Sequence, residues 1–285
     1  MSGNEIYWWE EVDFHPEEPL ALQRGDEGDE VEGLQQALRE AGYDILVDGD
    51  FGPGTERAVR DFQKHQGLVV DGRVGDKTLS LIADNALPGL LTQADIEWAA
   101  DELQVPVAAV MAVSEVESRG MGFFKSGLPA ILFERHWMYR RLKFYDIDPA
   151  PLVKLAPEIV NTKTGGYIGG EREHRRLNQA KEFHVPSALE SASWGAYQIM
   201  GFHWKALGYR SAEHFVECMM KNEGEHLKAF VRFIQNDRVL LNALRNLDWA
   251  TFARRYNGPA YAKNRYDVKM ANAFATHDAA LREAA

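Results

Sequence analysis

The chain contains little cysteine and no long apolar run. Cys218 is its single cysteine among 285 residues, so no intrachain disulfide can form. No stretch approaches the roughly 18 uninterrupted apolar residues of a membrane-spanning helix, which predicts that the chain has no membrane span. The first residues are acidic and include no apolar segment of signal-peptide length. We therefore expect no export by the usual signal-peptide route.

Metal-binding motifs are also missing from the sequence. The nine histidines show no His-Glu-x-x-His spacing, and neither a Cys-x-x-Cys pair nor a calcium-loop pattern occurs. The sequence thus predicts neither a metal nor a cofactor. The glycine-rich segment 165–170 lacks the Lys-Ser/Thr pair of a phosphate-binding loop, so we interpret it as a flexible loop beside a cleft.

Negative charge is concentrated in the first third of the chain. Residues 1–87 hold 7 Lys/Arg against 20 Asp/Glu, whereas residues 88–285 hold 25 against 23. The acidic part argues against nucleic acid as a partner, because phosphates demand a basic surface. The nearly neutral remainder, with local arginine clusters, suits a polymer that carries scattered negative charge.

Two near-copies of one short pattern lie 23 residues apart, at 48–55 and 71–78. Both read Asp-Gly-x-apolar-Gly-x-x-Thr. Asp-Gly predicts a bend, and we expect the second glycine of each copy to adopt backbone angles closed to other residues. The threonine is expected to cap a following helix. The segment between the copies has apolar positions at helical spacing.

The rest of the chain is predicted to be mainly helical. Helical periodicity occurs at 134–143, 173–182, 211–235 and 238–254, and strand patterns are confined to short pieces around 130–133 and 167–168. Thr92 can cap a further helix, and Cys218 is expected to be buried. The predicted organisation is an N-terminal extension (1–20), a small three-helix domain (21–84), a linker with Pro-Gly punctuation (85–91) and a larger helical domain (92–285).

Two carboxylates end an apolar helix that is predicted to run from Val105-Pro106 to Ser118. Glu115 and Glu117 are two residues apart, about 200° around the helix, and cannot both face one cleft. Glu117 extends the apolar stripe of Val110 and Val113, which favours it over Glu115. Burial raises the pKa of a carboxyl group, and a proton donor in catalysis needs a raised pKa. The helix alone leaves open that both glutamates are solvated.

Glu134 is a second candidate carboxylate, since apolar residues flank it. It could position a water molecule, or it could pair with Arg135, Arg140 or another cation and hold a cleft wall. Glu190 is a weaker candidate for the water-positioning role.

Two later motifs offer groups that suit a carbohydrate. Aromatic faces stack on sugar rings, and amide side chains both donate and accept hydrogen bonds. The alternative for both motifs is a rigid turn with packed aromatic rings. The candidate substrate-binding residues are Tyr197, Gln198, Tyr256, Asn257 and Tyr261.

Residues 22–82, with both turn repeats and the Leu-Gln-Arg-Gly-Asp run that starts at residue 22, resemble the small peptidoglycan-binding domain attached to many cell-wall hydrolases. Over about residues 92–280, the order Glu-Ser, Gly-x-x-Gln-Ile, Tyr-Asn-Gly resembles the helical superfamily of goose-type lysozymes and lytic transglycosylases. The larger domain is most similar to the N-acetylmuramidase domain of phage endolysins.

This resemblance implies a lysozyme-like fold and peptidoglycan as the partner. It implies cleavage of the β-1,4 bond between N-acetylmuramic acid and N-acetylglucosamine, with Glu117 as the general acid. The absence of a zinc motif also directs the cut to the glycan rather than to the peptide stems. Two alternatives stay open: a lytic transglycosylase that gives 1,6-anhydro products, and a wall-binding protein without activity. A protein of this kind would stay in the host cytoplasm until a holin opens the membrane, and we expect a monomer.

Overall fold

The computed structural model describes residues 21–83, 89–118 and 122–284. The predicted N-terminal extension and most of the predicted linker lie outside these residues. The fold class agrees with the prediction, since the chain is mainly α, with a small three-helix unit before a larger helical one. Among the described residues, no helix combines the length and apolar character that crossing a bilayer requires.

The three-helix domain contains α1 (Asp29–Glu40), α2 (Pro53–His65) and α3 (Asp76–Ile82). Each helix turns an apolar stripe inward, as amphipathic helices do when they share a core. The core of this domain consists of Val31, Leu34, Leu38, Phe51, Ala58, Val59, Phe62 and Val74.

The two Asp-Gly turns have the predicted bends, but the left-handed glycine is the first of each copy and not the second. Gly49 and Gly72 have φ of 74° and 73°. The second glycines, Gly52 and Gly75, have φ of −81° and −93°, and they are the residues that precede α2 and α3. The expectation for the second glycine was therefore wrong, because the tight bend occurs directly after the aspartate.

The repeated threonines are not helix caps, which corrects the second expectation for these turns. Thr55 and Thr78 lie inside the first helical turn and are buried. Each threonine hydroxyl accepts a hydrogen bond from the side-chain amide of a buried glutamine, Gln35 Nε2 at 3.0 Å in the first copy and Gln63 Nε2 at 3.4 Å in the second. Each glutamine also contacts its turn aspartate, so one amide holds a whole turn together.

In the part of the chain that the structure describes, the larger domain packs eleven further helices around one core. Its helices are α4 (Gln93–Leu103), α5 (Val107–Glu117), α6 (Arg135–Phe144), α7 (Ala150–Leu155), α8 (Arg172–Phe183), α9 (Val185–Glu190), α10 (Ala212–Met219), α11 (Glu223–Asn236), α12 (Arg238–Arg245), α13 (Trp249–Asn257) and α14 (Tyr266–Ala284). Short 3₁₀ turns occur at Gly201–His203 and Pro259–Ala262. α14 packs along α5, so the helix that carries the candidate acid lies in the middle of the domain.

A small antiparallel sheet lies beside these helices, in the order β1 (Ile131–Phe133), β2 (Ala192–Trp194) and β3 (Ile199–Met200). Leu132 pairs with Ser193 in its register. β1 confirms the predicted strand around 130–133, whereas β2 and β3 were not predicted. No strand forms at 167–168, because the backbone N–H groups of Ile168 and Gly169 donate to the buried Glu173 carboxylate at 2.7 and 3.0 Å.

Two predicted long helices are each divided by a cap. The 211–235 segment breaks before α11, where the Asn222 side chain accepts a hydrogen bond from Glu225 N at 2.9 Å. The 238–254 segment breaks before α13, where Asp248 accepts one from Thr251 N at 3.1 Å. Both caps satisfy backbone donors that a new helix leaves exposed. The predicted Thr92 cap and the burial of Cys218 are confirmed.

Candidate active site

Glu117 is the last residue of α5, and only 8 % of its surface is exposed. The helix is rich in alanine and valine, and most of its residues are buried. The Asn257 Nδ2 group donates a hydrogen bond to Glu117 Oε1 at 2.8 Å, from the C-terminal end of α13. The packing of α13 near the end of α5 therefore places an amide against a carboxyl group 140 residues away in sequence.

Glu115 points in another direction, towards the three-helix domain. It forms an ion pair with Arg73 of that domain and a 2.8 Å hydrogen bond with His277 Nε2 of α14. Burial acts to raise the pKa of Glu115, but the His277 hydrogen bond and the Arg73 charge outweigh it and hold the pKa below its ordinary value. Glu115 is thus an ionised interface group, and the two glutamates separate around the helix as their spacing predicts.

Glu134 follows β1 directly and is 5 % exposed. The Tyr167 hydroxyl lies 2.8 Å from both carboxylate oxygens, and His136 Nδ1 lies 3.2 Å from Oε2. Burial first, and then the neighbouring Glu134 charge, raise the pKa of Tyr167 well above its ordinary value. Tyr167 therefore remains a hydrogen-bond donor to this carboxylate at any physiological pH.

The glycine-rich segment borders Glu134 through this tyrosine. Arg135 donates to the Lys163 and Thr164 carbonyls at 3.0 and 2.7 Å, which fastens the segment to the start of α6. Gly166, at φ 80°, passes so close to Arg135 that a Cβ there would lie 2.9 Å from the guanidinium. Since Arg135 is engaged with the segment, the described contacts of Glu134 are a phenol and an imidazole rather than an arginine.

Protein groups enclose the carboxylate of Glu190. Its carboxylate accepts hydrogen bonds from Arg141 Nε at 2.6 Å, Tyr145 Oη at 2.9 Å and Trp204 Nε1 at 2.7 Å, and the residue is 1 % exposed. These contacts fix α6, α9 and the 3₁₀ turn to one another. A carboxylate enclosed in this way has no open side for a water molecule to be activated.

Two of the sequence-predicted sugar contacts lie in the core. Tyr197 and Tyr256 are 2 % and 4 % exposed. The Tyr197 hydroxyl hydrogen-bonds with Ser114 at 2.9 Å, and the Tyr256 hydroxyl donates to the Tyr197 carbonyl at 3.1 Å. Their burial does not match a direct sugar contact. Instead, they connect α5, the β2–β3 turn and α13.

The Gln198 amide is occupied by protein groups. The amide oxygen accepts a hydrogen bond from Ser193 Oγ at 2.7 Å, and the amide nitrogen donates one to the Gly195 carbonyl at 2.8 Å. The backbone of Gln198 is left-handed, with φ of 49°. Gln198 thus holds the β2–β3 turn in shape. Tyr261 is partly exposed, with the Arg254 guanidinium 5.7 Å from its ring centre. Of the five predicted contacts, only Asn257 and Tyr261 have partly exposed side chains outside the tight β2–β3 turn.

The structure is that of a modular protein, in which a small three-helix domain precedes a larger helical domain that buries Glu117 and Glu134. Residues 106–278 match the family model of the N-acetylmuramidases, and residues 27–82 match that of a putative peptidoglycan-binding domain. Because the first match covers more than half of the chain, the chain belongs to the N-acetylmuramidase family.

Solved and curated relatives agree with this assignment. The crystal structure of Burkholderia AP3 phage endolysin matches with a TM-score of 0.85 at 49% identity, and the match covers 91% of this chain and 99% of that one. The spore cortex-lytic enzyme of Bacillus cereus is 47% identical over 62 residues, 21% of this chain and 24% of the enzyme. The type VI secretion system spike protein VgrG3 of Vibrio cholerae is 32% identical over 123 residues, 38% of this chain and 11% of that protein. The chain therefore spans at most about a quarter of these two curated proteins.

Proposed function

We propose that the protein is an endolysin that hydrolyses the β-1,4 bond between N-acetylmuramic acid and N-acetylglucosamine in peptidoglycan. The observation that supports this most strongly is the burial of Glu117 at the end of α5, where its Oε1 accepts a hydrogen bond from Asn257 Nδ2. Burial disfavours the ionised form of a carboxyl group. Glu117 then enters the reaction as the neutral acid and gives its proton to the bridging oxygen as the bond breaks.

We assign Glu134 the second carboxylate role. It is buried directly after β1, and the Tyr167 hydroxyl, 2.8 Å from both carboxylate oxygens, holds it in place. In this role Glu134 accepts a proton from a water molecule that attacks the sugar as positive charge develops at its anomeric carbon. A general acid and a second carboxylate that activates water are the two groups that glycoside hydrolysis with inversion uses.

The surface groups near the acid carry the proposed substrate contacts. Asn257 holds Glu117 Oε1 and is itself partly exposed, so it can orient the acid and meet a sugar substituent. Tyr261 offers a partly exposed ring for stacking on a sugar face. We assign the buried Tyr197 and Tyr256 the role of supporting this surface from beneath.

The three-helix domain is proposed to hold the enzyme on the cell wall. A tethered module rebinds locally and raises the effective concentration of the attached catalytic domain. We also propose that the protein acts as a monomer and accumulates in the host cytoplasm until a holin gives it access to the wall.

The nature of the new chain ends tests the proposed reaction. Purified peptidoglycan would be digested to completion, reduced with borohydride and analysed by mass spectrometry. A muramidase leaves reducing N-acetylmuramic acid ends, which borohydride converts to muramitol. Anhydro ends, which lack one water, would identify a transglycosylase, and N-acetylglucosaminitol ends would show that the other glycosidic bond is cut. Release of no fragment at all would leave a wall-binding protein.

A further inference from the structure

Glu223 is a buried carboxylate that joins three separate parts of the molecule. It lies in the first turn of α11 and is 1 % exposed. Its Oε2 accepts hydrogen bonds from Lys77 Nζ at 2.7 Å and from Leu91 N at 2.9 Å, and its Oε1 accepts one from Gly122 N at 2.7 Å. The three donors belong to the three-helix domain, to the segment that enters the larger domain, and to the chain that follows the candidate acid.

Gly122 is tightly constrained at this position. Its carbonyl accepts a hydrogen bond from Ala130 N at 2.8 Å, just before β1. A Cβ at Gly122 would lie 2.7 Å from His226 Nδ1 and 2.9 Å from Glu223 Cγ, so only glycine fits without movement. The Glu223 carboxylate therefore fixes the chain five residues after Glu117, between the proposed acid and the strand that leads to Glu134.

Lys77 brings the charge that this arrangement needs. Two backbone N–H groups alone compensate a buried carboxylate poorly, because its charge is taken out of water. The cation comes from α3, on the face of the three-helix domain that packs against the larger one. Val69 adds an apolar contact to the larger core, and the Val70 N–H donates to Gln93 Oε1 at 3.2 Å. The domains are therefore docked, and Glu223 joins their contact surface to the candidate site.

We propose that Glu223 is a positioning residue through which the docked three-helix domain, by way of Lys77, holds Gly122 and the start of β1, and so the candidate site, in its catalytic geometry. The domain then contributes to the chemical step as well as to wall attachment. This inference rests on the proposed function, since it takes Glu117 as the acid. A pure tether would change only the encounter with an insoluble wall, whereas a positioning contact changes turnover on any substrate.

The test uses the full chain and a soluble peptidoglycan oligosaccharide, for which wall attachment is irrelevant. Lys77→Gln removes the cation, Lys77→Arg restores it, and Lys228→Gln is the matched control because it breaks the surface pair with Glu225 on the same helix. We expect Lys77→Gln to lower kcat by roughly fivefold or more with KM within about twofold, since a misplaced catalytic group costs rate rather than binding. Lys77→Arg should recover most of the loss, and Lys228→Gln should match the parent.

A spectroscopic readout accompanies the kinetics. The Gly122 amide proton donates to a carboxylate, and we expect its NMR resonance to shift upfield and its hydrogen exchange to accelerate in Lys77→Gln and in Glu223→Gln. Parent-like kcat and an unchanged Gly122 resonance in Lys77→Gln would overturn the proposal. If Glu117→Gln kept the parent's activity, the proposed function itself would fail, so the two failures can be told apart.

Discussion

The two copies of the turn motif have nearly the same local structure in opposite surroundings. In the first copy, Asp48 accepts a hydrogen bond from Gln35 Nε2 at 2.8 Å and one from the backbone two residues on at 3.0 Å. In the second copy, Asp71 accepts the equivalent bonds, from Gln63 Nε2 at 2.7 Å and from the backbone at 2.9 Å. The repeat in sequence is therefore also a repeat in hydrogen bonding.

The pKa values of the two turn aspartates nevertheless shift in opposite directions. Asp48 is exposed, and its backbone and Gln35 hydrogen bonds lower its pKa. Burial against the larger domain raises the pKa of Asp71 in spite of its hydrogen bonds. The comparison shows that the first copy faces solvent, while the second has become part of the domain interface. The repeated local sequence determines the conformation of both turns, whereas contact with the larger domain determines which of them is buried.

Removing the central glutamine of either copy should have the largest effect on stability. Gln63→Ala and Gln35→Ala each leave buried turn groups without partners, and we expect a loss of about 2–4 kcal/mol in the free energy of unfolding. Gln63→Ala should also lower turnover on a soluble oligosaccharide, because its turn lies at the interface, whereas Gln35→Ala should not. Denaturant unfolding and kinetics on the two variants would measure this. Gln36→Ala, on the surface of α1, is the matched control. Equal turnover in the two core variants would contradict the assignment of separate roles.

Acid should weaken the larger domain before the three-helix domain. Burial lowers the pKa of His203 to about 4 and also lowers that of the buried His226. The unfolded chain binds these protons first, so stability is lost as pH falls below about 6.5, by up to ~1.4 kcal/mol per pH unit for each histidine, and levels off below the folded pKa. Among residues 21–83, His65 is the one histidine, and it is exposed.

Hydrogen exchange at pH 7.5 and pH 5, corrected for intrinsic rates, would compare the two domains. Protection should fall in α10 to α13 and persist in α1 and α2. His203→Phe should reduce this pH dependence, because the ring already packs between Phe202 and Phe233. A uniform loss of protection across both domains would argue against this account.

Neutralising the two turn aspartates should change stability in opposite directions. The lowered pKa of Asp48 means that its charge contributes stability above about pH 4, which is lost as pH falls through the folded pKa. The raised pKa of Asp71 means that stability is lost as pH rises from about 4 through its folded pKa. At pH 7, Asp48→Asn should therefore destabilise the protein and Asp71→Asn should stabilise it, as thermal unfolding would show. The same sign for both would refute the difference in surroundings.

Breaking the ion pair between Arg73 and Glu115 at the domain interface should have the smallest effect on stability. Arg73→Gln separates Glu115 from its cation at a half-exposed site, and we expect a loss of at most about 1 kcal/mol that shrinks as salt is added. Arg24→Gln, which removes the exposed pair with Glu56 on the same domain, is its comparison. Unfolding at low and high ionic strength would separate them. A salt-independent loss in Arg73→Gln would mean that packing rather than charge holds this contact.

The sequence predicted what depends on local periodicity and missed what depends on distant contacts. The alternation of burial along α5 correctly separates Glu117 from Glu115, because both belong to one helix of known geometry. The sequence did not reveal that Gln35 and Gln63 hold the two turns, because their spacing differs. Gln35 lies 13 residues from Asp48, whereas Gln63 lies 8 residues from Asp71. A repeat search at fixed spacing passes over such a pair.

Contacts across the fold gave no signal along the chain. Lys77 and Glu223 are 146 residues apart, and each reads as an ordinary surface residue at a helix start. The link between Tyr167 and Glu134 depends on a loop conformation that the buried Glu173 imposes from α8. Tyr197 and Tyr256 read as carbohydrate contacts because aromatic residues serve both binding and packing, and composition does not separate these uses.

A comparison of cell lysis by the Glu117→Gln and Glu115→Gln variants tests most directly the central claim that Glu117 is the proton donor. The two variants make the same chemical change two residues apart on one helix, and turbidity of outer-membrane-stripped cells measures both. Glu117→Gln should lose about 10²-fold or more in rate, the scale of general acid catalysis, and Glu115→Gln should keep most of its activity while unfolding somewhat more readily. Undiminished clearing by Glu117→Gln would contradict the assignment of this buried carboxyl group as the proton donor.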